Sequence, residues 1–337
     1  MAALHLMVDF GDETNEEKTD SLVFVDEKSG GDTKSPKGQK KKRGSLLSLP
    51  WAKKEAKEVT VPVVSPQSPW KAPPFTGGTG YTERKIATLL CDFLQPDSKL
   101  SNDEVVTSIL ALIPANAPSS RELQSFGALC VGLAEQVPYH HPSQLKFARL
   151  LRMLAKSPKF LNKYRLDNTA EDMLAFFQHF RNSLTDASGL DEEFPYDWVN
   201  INAFEAKLCA IGIWGTTPGQ GFIQLRYVFE QPKRLEATAF ETNTEIMAAA
   251  QWIIWFGQSM FNFFLYDEGS ESSYICDLWN EEGTVPFQPR SLERWRFWAK
   301  KFDEVGSWSD ATDECKDLTA RAARIMHALE ENMVFSV

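Results

Sequence analysis

The sequence predicts an all-α fold: a multi-helix bundle or array of roughly ten helices behind a disordered N-terminal tail. Three observations predict it. From about residue 80, apolar residues recur at helical spacing in one segment after another. Capping residues and prolines fall between those segments. No stretch of useful length alternates as a half-buried strand would; VPVV (61–64) is too short and is bounded by proline. The 337 residues divide into a tail, 1–80, and a helical domain, 81–337.

The tail is rich in Asp, Glu, Lys, Ser, Gly and Pro and shows no hydrophobic period. It has three parts. MVDFGDETNEEKTDSLVFVDE mixes acids with Phe10, Leu22, Val23, Phe24 and Val25, a composition found in docking and activation segments. PKGQKKKR supplies Lys37, Lys40, Lys41, Lys42 and Arg43, and Lys53 and Lys54 follow as in the second half of a bipartite import signal. An exposed cation run of this kind suits an acidic receptor groove. VPVVSPQSPWKAPPFTGG (61–78) is a Pro/Gly linker.

The helices follow in order. Thr82 to Gln95 carries Ile86, Leu89, Leu90, Phe93 and Leu94 and stops at Pro96. Ser101 with Glu104 forms a capping box, as Ser119 does with Glu122; Pro114 and Pro138 end the two segments. Pro142 opens QLKFARLLRMLAK after a His140-His141 turn, and Thr169 caps MLAFFQHFRNSL. Pro195 opens YDWVNINAFEAKLCAIGIW, and Pro218 opens a helix that runs to Pro232. Ser291 caps LERWRFWAKKFDEV, and Asp310 caps a last helix.

Between these lies Ile246 to Tyr266, without one charged side chain. A helix apolar all round is a buried core helix or a membrane span. Acidic flanks at Glu241, Glu245, Asp267, Glu268 and Glu271, and no Lys or Arg cluster at either end, favour the core. Gln251, Gln258 and Asn262 lie on one line of this helix. With Trp295 and Trp298, which share a face of a later helix, they form the candidate pocket for a small molecule.

Composition bounds the function. Net charge is −10, and the domain carries most of the acid, so no direct nucleic-acid binding is expected. Five well-separated cysteines suggest free thiols in a reducing compartment. No catalytic, cofactor-binding or metal-ligating pattern is found: GxSxG is missing, and GGTG (77–80) and GTTPGQG (215–221) lack the GK[ST] ending of a phosphate loop.

Four motifs stand in order in the C-terminal half: WVNINAFEAKL (198–208), AAAQWIIWFGQSMF (248–261), SLERWRFWAKKF (291–302) and AARIMHALE (322–330). Together they resemble family 3632 of the unknown-function domains, a large group of fungal proteins. The resemblance spans about 80–335 and is strongest after 195. It implies a helical domain and a fungal source, and it brings no catalytic residues. The expectation is a non-enzymatic helical interaction or regulatory protein of the nucleus and/or cytoplasm. Its partners are proteins, an import receptor among them, with no membrane attachment. The alternative is a small-molecule-binding or enzymatic helical domain, for example an accessory protein of a metabolic pathway.

Overall fold

A computed structural model describes residues 3–8, 83–113, 121–157, 159, 194, 196–213, 219–231, 237–265, 286–287 and 291–333. All belong to one compact unit, Met1–Val8 with Trp70–Val337. The basic run, residues 9–27 of the acidic segment, Ser119 of the second capping box and the segment capped by Thr169 lie outside the described residues.

The described residues form nine α-helices and no strand. They are α1 (Glu83–Leu94), α2 (Asn102–Leu112), α3 (Arg121–Gln136), α4 (Pro142–Ala155), α5 (Asp197–Ala210), α6 (Gly219–Phe229), α7 (Ala239–Leu265), α8 (Leu292–Val305) and α9 (Asp313–Met333). Helices α1 to α4 pack among themselves, and α6, α8 and α9 gather with α7. Helix α5 joins the two groups, with α3 and α4 on one side and α7 on the other.

That position explains the composition of α5. Every residue from Val199 to Cys209 is buried, including Asn200, Asn202, Glu205 and Lys207. A helix enclosed on all sides has no solvated face, so its polar side chains must find partners inside the protein. It ends at Gly212, whose φ of 70° is open to glycine at little cost. The Ile213 N–H then reaches back 3.1 Å to the Leu208 carbonyl, closing a Schellman-type end.

Helix α7 contains most of the uncharged stretch but starts earlier. Thr238 and Glu241 form a capping box at its N-terminus: Glu241 Oε2 accepts the Thr238 N–H at 2.7 Å, and Thr238 Oγ1 accepts the Glu241 N–H at 3.1 Å. Its apolar surface is covered by α5, α6 and α9. Among the described residues no helix is long and apolar enough to cross a membrane. Helix α6 approaches α7 closely at Gly221, where a Cβ would sit 2.9 Å from the Trp252 ring and 3.0 Å from the Met260 methyl.

Most caps fall where the sequence puts them. The Ser101–Glu104 box starts α2, Pro142 opens α4, and Ser291 caps α8. The exception is α9. It begins at Asp313, and its cap is Thr312, whose Oγ1 accepts the Cys315 N–H at 3.2 Å. Asp310 is held back by its own backbone. Its carbonyl accepts from Asn243 Nδ2 at 2.9 Å, while Asn243 Oδ1 accepts the Thr312 N–H at 2.8 Å. A side chain from α7 thus sets where α9 starts.

Residues 3–8, assigned to the tail by the sequence reading, lie on the helical domain with Leu4 and Leu6 buried. Gln95, just past α1, and Gln136, the last residue of α3, bond to their backbone.

Two substitutions test the packing. Trp252→Ala is expected to cost about 3–5 kcal/mol in urea unfolding, because it empties a fully buried ring site. Gly221→Ala is expected to cost up to about 2 kcal/mol: overpacking against Trp252 costs about 1–3 kcal/mol, and the better helix propensity of alanine returns up to about 1 kcal/mol.

Candidate functional site

The strongest chemical anomaly is a lysine at the centre of the fold. Lys207, on α5, is 2% exposed. Among the described residues no carboxylate pairs with it. Its ammonium donates to the Tyr139 carbonyl at 2.9 Å and to Gln144 Oε1, and it lies 4.2 Å from the centre of the Trp255 ring. Two oxygens and one π face therefore take its three N–H bonds. Burial pulls its pKa down from 10.5 to about 7.

The cage around Lys207 belongs to a larger network. The chain turns between α3 and α4 at residues 137–141, and carbonyls there face the interior. Gln144 Nε2 donates to the carbonyls of Val137 at 3.0 Å and Asn200 at 2.7 Å. Asn200 Nδ2 donates to the Glu135 carbonyl at 2.6 Å, and Asn200 Oδ1 accepts the Tyr139 N–H at 2.7 Å. Three side chains thus meet the carbonyls of Glu135, Val137 and Tyr139. His141 closes the turn as the N-cap of α4, its Nδ1 accepting the Ser143 N–H at 3.2 Å.

Acids on the rim complete the region. Burial, and then the charge of Asp197, push the Glu135 carboxyl up to about 7. Glu314 of α9 accepts from the hydroxyls of Tyr139 at 2.5 Å and Tyr196 at 2.7 Å. Burial, with the Glu314 contact behind it, raises both phenols, Tyr196 to about 12.

A second buried cluster joins α6 to α8. Glu230 takes a two-pronged contact from Arg294, Nε to Oε1 at 2.7 Å and Nη2 to Oε2 at 2.5 Å. Trp298 Nε1 donates to the same Oε1 at 2.9 Å, and Arg226 stands 3.6 Å from Oε2. The Arg294 guanidinium also lies 5.4 Å from the Trp298 ring centre. A carboxylate surrounded by two guanidiniums and an indole is a lock between helices, and its oxygens are engaged.

The residues of the expected pocket differ in exposure and in partners. Gln251 is buried and accepts from Trp255 Nε1 at 3.2 Å, while Gln258 on the same line is exposed. Trp295 donates to the Met326 carbonyl at 3.3 Å and stacks near Phe261. Trp298 faces Glu230 and Phe222. Gln251 Nε2 and Asn262 Oδ1 are buried and have no hydrogen-bond partner among the described residues. Lys37, Lys40, Lys41, Lys42, Arg43, Lys53 and Lys54 lie outside the described residues.

Sequence reasoning overlooked Lys207, Asn200, Gln144 and Glu230. The signal available was the run NINAFEAKLCAIGI, in which single polar residues interrupt an apolar surface on every side. The four cysteines described, Cys91, Cys130, Cys209 and Cys315, are buried. Burial pushes the Cys91 and Cys315 thiols up to about 12, away from thiolate chemistry.

The family described as "Protein of unknown function (DUF3632)" matches residues 128–302, from the middle of α3 to α8. The chain belongs to that family. No curated protein and no solved structure matches it. The matched region contains all of the Lys207 cage and the Glu230 lock. The motifs that carry the resemblance are therefore legible as contacts. Asn200 and Lys207 hold the α3–α4 turn, Asn202 Oδ1 accepts Trp252 Nε1 at 2.9 Å, and Arg294 and Trp298 hold Glu230.

Burial of Lys207 has a pH signature. Its folded pKa of about 7 lies below its ordinary 10.5, so between those values the unfolded chain binds more protons than the folded one. Its contribution to stability therefore rises from about pH 7 to about pH 10. In Lys207→Met that contribution is gone. The stability of wild type minus that of the variant, from urea titrations, is expected to grow with pH across this window; a flat difference would mean that the lysine is solvated.

Proposed function

We propose that this chain is a non-enzymatic helical interaction module that works through protein partners, with its tail as an address for the nucleus. One observation carries the reading. Among the described residues, three side chains that could perform chemistry are spent on joining helices: Lys207 on carbonyls and an aromatic face, Glu230 on two arginines and a tryptophan, Glu314 on two tyrosines. A general base or nucleophile must reach substrate, and these groups are engaged by other parts of the protein. The basic run Lys40 to Arg43, in a tail of mixed acidic and basic blocks, supports the address.

A second reading, a small-molecule site inside the bundle, has a specific observation behind it. Gln251 Nε2 is buried and has no partner among the described residues. A buried amide hydrogen without an acceptor is costly, and a polar ligand group would relieve it.

Affinity purification of the tagged chain from fungal cells, the source that the resemblance implies, is expected to yield stoichiometric protein partners. Alanine at Lys40, Lys41, Lys42 and Arg43 is expected to shift the tag from nucleus to cytoplasm. Unchanged nuclear accumulation would remove the address. A lone chain whose melting temperature climbs with a small metabolite would move the reading to the bundle site.

A further inference from the structure

Residues 3–8 are held as a bound peptide is held. Leu4 and Leu6 are buried, while His5 and Met7 are exposed. Alternation of this kind belongs to an extended chain. In such a chain the N–H and C=O of one residue point to the same edge, and those of the next residue point to the other edge. Leu4 and Met7 differ in parity, so they offer their polar groups to opposite edges.

Both edges are used, and by the same device. Gln95 Oε1 accepts the Leu4 N–H at 3.0 Å, and Gln95 Nε2 donates to the Leu4 carbonyl at 3.1 Å. Gln136 Oε1 accepts the Met7 N–H at 2.6 Å, and Gln136 Nε2 donates to the Met7 carbonyl at 2.8 Å. The second Nε2 hydrogen of each glutamine goes four residues back along its own helix, to Cys91 at 3.2 Å and to Gly132 at 2.9 Å. Each amide is thereby fixed in the orientation that imitates a neighbouring strand. The contacts read backbone, and only the two leucine seats read side chains. Strand-adding peptide sites combine affinity and selectivity in this way.

We propose that the groove between the C-terminal ends of α1 and α3 is a binding site for an extended peptide with apolar side chains at positions i and i+2. Residues 3–8 are its resident occupant, displaced when a partner protein presents such a segment. The occupant belongs to the same chain as its site, and this covalent tether gives it an effective concentration of about millimolar or below. A second copy of the chain would offer the same segment with the same contacts and lose to the tether at ordinary concentrations. A segment from another protein, with a better fit or with contacts elsewhere, can win. The proposal rests on the interaction reading and gives it a site and a ligand class.

The test uses the full chain and a labelled synthetic peptide, AALHLMVD, in fluorescence anisotropy. The Leu4→Asp, Leu6→Asp chain, with its groove vacated, is expected to bind this peptide at least about tenfold more tightly than wild type. Adding Gln95→Ala and Gln136→Ala is expected to weaken that binding about tenfold, since the backbone contacts of two residues are lost. A peptide with aspartate at both leucines is expected not to bind. A vacated chain that melts cooperatively yet ignores the peptide, or binds it regardless of the glutamines, would overturn the groove; the partner purification described above would stand untouched. A wild-type dimer that disappears in Leu4→Asp, Leu6→Asp would overturn the choice of occupant. If the vacated chain does not fold, hydrogen exchange on wild type decides. Excess peptide is expected to expose the Leu4 and Met7 amides, and unchanged protection would end the proposal.

Discussion

The fold depends on satisfying buried backbone carbonyls where α3 turns into α4. A carbonyl taken out of water without a donor costs on the order of a kilocalorie or more per mole. This turn buries several, and side chains rather than a backbone ladder meet them. Asn200 and Lys207 of α5, with Gln144 of α4, supply the donors. Because α5 also contacts α7, the same helix that repairs the turn joins the two helical groups. The lysine is suited to the task by its reach and by its three donors. The cost of burying its charge appears as a pKa near 7.

The same logic recurs at smaller scale. Lys146 donates to the Phe93 carbonyl at the end of α1 at 2.6 Å, and Lys159 to the Leu110 and Ile113 carbonyls at the end of α2, both at 2.6 Å. Helix C-termini leave carbonyls unpaired, and cations from α4 and from the turn after it settle them while matching the negative end of the dipole. In the C-terminal group the lock is ionic: Glu230, at the end of α6, is held by Arg294 and Trp298 from α8. The polar residues of the core are thus specific joints between helices, set in an apolar background that is not specific.

How much was legible follows from where each signal resides. Helix positions depend on local pattern and on caps, so Ser101, Pro142 and Ser291 could be read from the chain. Asp310 could not, because Asn243, distant in sequence, captures its carbonyl and moves the cap to Thr312. The line of Gln251, Gln258 and Asn262 was real as helical geometry. Whether each point on such a line faces a neighbour or solvent depends on what packs there, and Gln258 is exposed between the buried Gln251 and the buried Asn262 Oδ1. The N-terminal segment escaped notice because six residues carry too few apolar side chains to register as an element. Its partners, Gln95 and Gln136, are ordinary helix-end residues until a backbone is placed between them.

The sequence by itself determined the all-helical class, most helix ends, and the core character of the uncharged stretch. These follow from periodicity, capping and flanking charge, which act within a few residues. Only the tertiary structure decided which polar residues meet: Lys207 with the α3–α4 turn, Glu230 with Arg294, Leu4 and Met7 with two glutamines. These pairs are separated by some sixty residues or more, and no local pattern records a partner at that distance. The need for a partner is written in the buried polar residue; the identity of the partner comes from the fold.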